Sequence, residues 1–190
     1  MSHTNNTFLP SGRIDLGTGE LALGPLDGRY ASVTAPLTNY LSEAALNRDR
    51  IHVEVEWFIY LCEHEVLPGL SPLSEEQKKG LRAIVTDFNA DSVAELAEIE
   101  AVTVHDVKAV EYYIGRRLEG LGLGHLVPLV HFGCTSEDIN NLSHALMLRQ
   151  ARDEVIVPKL NEIAAKLQQM AHELAEVPMM SRTHGQPATP

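Results

Sequence analysis

The sequence is short of cysteine, of basic charge and of long apolar runs, and each shortage removes a class of protein. Its 2 cysteines, Cys62 and Cys134, stand far apart in 190 residues and without metal-ligand spacing. No disulfide framework is indicated, and a reducing compartment is expected. Lys and Arg number 15 against 26 Asp and Glu, a formal net charge of -11. That balance argues against nucleic acid as a partner, although it leaves room for a small basic pocket that takes an anionic metabolite. No apolar stretch approaches the roughly 18 residues of a membrane span, and Met1–Pro10 lacks the basic-then-apolar order of a secretory signal. A soluble, cytoplasmic protein with no membrane partner is therefore expected. Its 44% hydrophobic content suffices for a packed core.

Helical periodicity dominates what is present. Residues 1–23 are polar, glycine-dotted and aperiodic, which reads as a flexible or extended leader. Pro25, Asp27 and Gly28 make a turn from which Arg29 and Tyr30 emerge, one a planar fork for phosphate or carboxylate, the other a ring with a hydroxyl. From Ser42 a helix carries Ile51, Val55, Phe58 and Cys62 on one stripe, widened by Trp57 and Leu61, and Pro68-Gly69 ends it. Cys62 on that stripe reads as a core filler. Ser74-Glu75-Glu76-Gln77 is a capping box ahead of Leu81, Ile84, Val85 and Phe88. Asp91 or Ser92 is placed to cap the next helix. Glycines at 115, 120, 122 and 124 then mark a boundary near 120–128. Gly122 and its neighbours do not form a dinucleotide fingerprint, because no strand precedes them. The domain reading is a helical domain over 24–125 and the beginning of a helical bundle over 126–190.

Chemistry concentrates in separated motifs. In Thr103–Tyr113, Thr103 or Asp106 can start a helix whose buried face is Val107, Val110, Ile114 and Leu118. His105, Asp106 and Lys108 then lie at its first turn, either as a solvated helix start or as donors beside a natural anion site. In His131–Asn141, Thr135 or Ser136 caps a very long helix. Two adjacent hydroxyls and free backbone N–H groups there can hold a carboxylate. In Ser181–Pro190, His184 lies between Thr183 and Gly185 on a proline-stiffened turn, which suits a positioned proton-transfer group. His105, His131, His144, His172 and His184 show no tight metal-ligand spacing.

The long helix carries Ile139, Leu142 and Leu146, breaks at Arg149 and Asp153, and resumes through Ile156, Leu160, Ile163, Leu167, Met170, Leu174 and Val177. The second run is a heptad-like seam for a helix bundle. Pro158 should kink or restart the helix. As one rod from Ser136 to Glu176 it would be on the order of 60 Å. The shorter helices ahead of it cannot cover that seam, so self-association is expected.

LDGRY at Leu26–Tyr30, TVHDVKAVEY at Thr103–Tyr112, GCTSEDINN at Gly133–Asn141 and SRTHGQPATP at Ser181–Pro190 occur in this order. Together they resemble the bacterial-type adenylosuccinate lyases of the fumarase/aspartase superfamily, over about Gly24 to Pro190. The resemblance implies an all-α homotetramer built on long central helices, with active sites shared between subunits. It implies β-elimination of fumarate from adenylosuccinate, releasing AMP, and from succinylaminoimidazole carboxamide ribotide in purine biosynthesis, without metal or organic cofactor. It makes His184 the proton donor to the departing nitrogen. Thr135 and Ser136 would bind a succinyl carboxylate, and Arg29, Tyr30, His105 and Asp106 would line the nucleotide end. Val104 departs from the family, which usually has asparagine there. The family's base, a serine on a distant downstream loop, falls beyond Pro190, so these residues are expected to be the N-terminal portion of such an enzyme and inactive alone. The competing readings are a sister lyase acting on argininosuccinate or aspartate, which LDGRY with TVHDVKAVEY opposes, and a non-catalytic helical interaction module.

Overall fold

The computed structural model describes residues 24–188; the leader expected over 1–23 and the Thr189-Pro190 end of the last motif lie outside them. The chain divides into two units, Met1–Pro36 and Leu37–Pro190. In the first, the Asp27 carboxylate accepts the Gly24 N–H at 2.8 Å and Tyr30 N–H bonds Pro25 O at 2.8 Å, closing the expected turn. A short helix, α1 (Ala31–Thr34), follows.

The second unit is helical apart from one small hairpin. It contains α2 (Thr38–Leu41), α3 (Glu43–Glu63), α4 (Glu75–Thr86), α5 (Ala90–Thr103), α6 (Asp106–Gly120), a 3-10 segment Gly124–Leu129, and α7 (Ser136–Ala151). A π-helical turn, Arg152–Ile156, joins α7 to α8 (Val157–Glu173), and β1 (Ser181–Thr183) pairs antiparallel with β2 (Gln186–Ala188).

Local chemistry sets these bounds. The Ser42 hydroxyl accepts Ala45 N–H at the start of α3, and Ser74 and Gln77 cap α4 reciprocally at 3.2 and 2.9 Å. Two caps differ from expectation. Asn89, not Asp91 or Ser92, caps α5, its carboxamide oxygen taking both the Asp91 and Ser92 N–H groups. The backbone is still extended at Asn89, as an N-cap requires. Similarly His105, not Thr103 or Asp106, caps α6 with its ring nitrogen. Between these helices Val104 takes a left-handed conformation, φ 51, to end α5.

Ile51, Val55, Phe58 and Cys62 of α3 meet Leu81, Leu96, Val110, Ile114 and Leu118 from α4, α5 and α6 in one core. That core continues through Leu123 and Val130, across the glycine-dotted stretch. Cys62 is wholly buried within it.

At Pro158, where a kink or restart was expected, a π-helical turn carries α7 directly into α8. Pro158 has no N–H to give the preceding turn, and its ring crowds the carbonyl four residues back. The helix widens instead: Val157 N–H bonds Arg152 O, five residues back. Beyond that turn every residue of α8 is exposed, and its seam lies open, with Leu160 58%, Ile163 58% and Leu167 60% accessible.

Candidate functional site

Three polar residues of α3, Arg50, Glu54 and Trp57, share one helix face at successive steps of four and three. They organise the starts of α6 and α7. The buried Arg50 guanidinium donates to Asp106 Oδ2 at 2.6 Å, to Asn140 Oδ1 at 2.9 Å and to Asn47 Oδ1 at 3.1 Å. One cation thereby ties the first residue of α6 to the second turn of α7. Sequence reasoning missed Arg50 and Glu54, whose signal was charge falling on the buried side of α3.

At the start of α6, His105 Nδ1 accepts the Lys108 N–H at 3.2 Å, which puts the ring proton on Nε2. Half of the imidazole side chain remains exposed. Asp106 is committed to Arg50 and to the Val107 N–H at 2.9 Å. Partial burial works to raise its carboxyl, but these partners outweigh that and hold it below the ordinary carboxylate range. Lys108 is committed as well, its ammonium 2.6 Å from Glu111. Of the donors expected here, the His105 Nε2–H makes no hydrogen bond among the described residues, and the partly exposed Lys108 ammonium keeps N–H groups beyond the one given to Glu111.

At the start of α7 both the N–H and the hydroxyl of Thr135 donate to Asp138 Oδ2, at 2.7 and 2.9 Å. These two bonds hold the Asp138 carboxyl below its ordinary value. Ser136 is half-buried, and its hydroxyl makes no hydrogen bond among the described residues. The hydroxyl pair is thus split: one is engaged by a carboxylate and the other is open. Burial pushes the neighbouring Cys134 thiol up, with Glu54 and Asp138 adding to the effect, so a packing role suits it better than a reactive one.

His184 and Gly185 are the two central residues of the β1–β2 turn, with φ 48 and 76. Positive φ at both positions is the mark of a type I′ hairpin, and it holds the exposed imidazole at the tip. The structure does not bring His184 to the α7 start. Helix runs from Ser136 to Glu173, on the order of 55 Å at about 1.5 Å per residue. Turn bonds continue to Val177, whose N–H reaches Leu174 O. From there to His184 the chain can return at most about 25 Å. Within one chain, His184 therefore stays at least about 30 Å from Ser136.

Arg29 and Tyr30 belong to the first unit, where the guanidinium lies 5.6 Å from the tyrosine ring centroid. Among the described residues, no three His, Cys, Asp or Glu side chains converge as a metal set, and no helix is long and apolar enough to cross a membrane.

Residues 28–190 match the family described as Lyase. The chain is 45% identical over 170 residues to the adenylosuccinate lyase of Haemophilus influenzae, covering 89% of this chain and 37% of that protein. The Escherichia coli K12 adenylosuccinate lyase is 42% identical over the same shares. The Buchnera aphidicola protein of that name, from the Acyrthosiphon pisum symbiont, is 36% identical over 91% of this chain and 38% of its own length. The chain thus spans well under half the length of the curated relatives it matches.

Proposed function

This chain belongs to the lyase family of the fumarase/aspartase superfamily, and from that premise we propose that it supplies part of the active site of an adenylosuccinate lyase. The reaction is elimination: a base removes a proton from the succinyl carbon, the carbon–nitrogen bond breaks, and an acid protonates the departing nitrogen. Adenylosuccinate yields fumarate and AMP, and the related carboxamide ribotide yields fumarate likewise. His184 is the acid, aimed from a stiff hairpin tip. Ser136, Thr135 and the N–H groups at the α7 start take the carboxylate whose charge grows as the carbon loses its proton. His105 faces the nucleotide end with Asp106 as its fixed neighbour, and Arg29 and Tyr30 serve the same end. No metal or organic cofactor is required by this chemistry, and a cytoplasmic enzyme of purine biosynthesis is the setting that fits.

What supports the reading is that helix rise and chain reach keep His184 at least about 30 Å from Ser136 in one chain. A succinyl carboxylate and the nitrogen that leaves lie only a few bonds apart, so the two halves must come from different copies. The uncovered seam of α8 supports that assembly, which we take to be a homotetramer. The chain on its own, spanning 37% of its relatives' length, is proposed to be inactive.

The test joins residues 1–190 to the remaining residues of the Haemophilus influenzae enzyme and follows adenylosuccinate by ultraviolet absorbance. Turnover by this chimera, lost on His184→Ala, is expected. A folded chimera that does not turn over adenylosuccinate, or that is indifferent to His184→Ala, overturns the reading.

A further inference from the structure

Glu54 has no side-chain surface exposed at all, 0%, and it lies between Ile51, Val55 and Phe58 on the core-facing helix. Burying a carboxylate is costly unless it is paired, and an apolar residue would simply have extended the stripe. Instead Glu54 spends both oxygens on a single residue. Oε1 is 2.6 Å from His131 Nδ1, with one proton between them, and Oε2 accepts the His131 main-chain N–H at 3.1 Å.

His131 is an unusual residue to grip. Its φ is 64, a left-handed conformation that is unfavourable for a residue with a side chain. Less than one turn further along α3, the Trp57 indole N–H donates to Phe132 O at 2.9 Å. Gly133 then turns the chain with φ 74, and Thr135 opens α7. Thus α3 holds the main chain at successive residues entering the turn, through hydrogen bonds to His131 and Phe132.

We propose that Glu54 is a positioning residue for the carboxylate-binding start of α7: through His131 it fixes the direction in which Ser136, Thr135 and their N–H groups face the substrate. This rests on the lyase reading above. The pair is a poor device for stability, because buried polar pairs rarely outperform apolar packing. It is a good one for direction, because two bonds to one residue fix both ring and backbone.

The chemistry of replacement separates the two roles. Glu54→Gln retains both bonds if the His131 ring reverses its tautomer, the amide oxygen accepting the main-chain N–H and the amide nitrogen donating to Nδ1. Glu54→Leu fills the space and removes both bonds. Trp57→Phe removes only the bond to Phe132.

In the chimera, Glu54→Leu is expected to raise the KM for adenylosuccinate and the inhibition constant of fumarate about tenfold, the scale of one hydrogen bond's contribution. Trp57→Phe should raise both severalfold, and Glu54→Gln should stay near wild type. A Glu54→Leu protein that melts near wild type with both constants unchanged overturns the proposal, as does a Glu54→Gln protein equally impaired. If Glu54→Leu does not fold, an unchanged fumarate constant in Trp57→Phe overturns it. Amide exchange in the 190-residue chain separates this from the functional reading. Trp57→Phe should speed exchange at Cys134, Thr135 and Ser136 relative to α4 whether or not the chimera turns over, and no such change counts against positioning.

Discussion

Two inactive variants should restore each other when mixed. Ser136→Ala removes the proposed carboxylate donor and His184→Ala the proposed acid, and in the chimera each alone is expected to lower kcat/KM by about 100-fold or more. Because the rod keeps these residues at least about 30 Å apart in one chain, the proposed site would draw Ser136 from one copy and His184 from another. In a random one-to-one assembly of the two variants, each contributing copy has about an even chance of being the intact one, so about a quarter of the sites recover both residues. A control sharpens the inference. Wild type mixed one-to-one with the double variant should also keep about a quarter of its sites if they are shared, but about half if each is built within one chain. The assay is co-expression with two different tags, isolation of doubly tagged assemblies, and ultraviolet measurement of adenylosuccinate loss. Hybrids no more active than the mean of their parents would refute the geometric argument, since they would place both residues in the same chain's site.

Val104 is strained and 87% exposed, in a left-handed position that suits asparagine or glycine, so Val104→Asn should stabilise the chain by about 1 kcal/mol in thermal melts; a lower melting temperature would mean that the α5–α6 corner does not carry this strain. Leu160→Asp with Leu167→Asp should abolish self-association in sedimentation while leaving the melting of the α3–α6 core nearly unchanged, because both side chains are about 60% exposed and touch none of that core; retained association would place the interface elsewhere. The Asp106 carboxyl, held below its ordinary 3.8, contributes stability that is present above that value and lost as pH falls through the depressed one. Arg50→Met should flatten this acid dependence in melts between about pH 2 and 5 and cost about 1–2 kcal/mol at neutral pH, a modest figure because Asp106 is half exposed and screened.

Much of the helical frame was legible because its determinants are local. The Ser74–Gln77 box and the stripe Ile51, Val55, Phe58 and Cys62 need only neighbours within a few turns to be read. The caps of α5 and α6 were misread for a reason in the same physics. Several residues within two positions could accept the orphan N–H groups, and backbone extension selected Asn89 and His105 over carboxylates and hydroxyls already inside the helix. Arg50 and Glu54 were illegible for the opposite reason. Their partners Asp106, His131 and Asn140 lie 56, 77 and 90 positions away, and a charge on an apolar stripe has no meaning until those partners are in place.

The seam and the motifs were read from the sequence as separate facts, and the fold makes them one. A motif-by-motif reading sets His184 beside Ser136 because both belong to one chemistry, whereas helix rise sets them apart. The π-helical turn at Arg152–Ile156 lets the rod pass Pro158 unbroken, so the separation persists instead of collapsing into a hairpin of two helices. The same unbroken passage carries Leu160, Ile163 and Leu167 clear of the core and leaves them exposed. An apolar seam of that length in water favours another helix. On the proposed lyase reading, the rod that separates His184 from Ser136 therefore also presents the surface through which a second chain would complete the site.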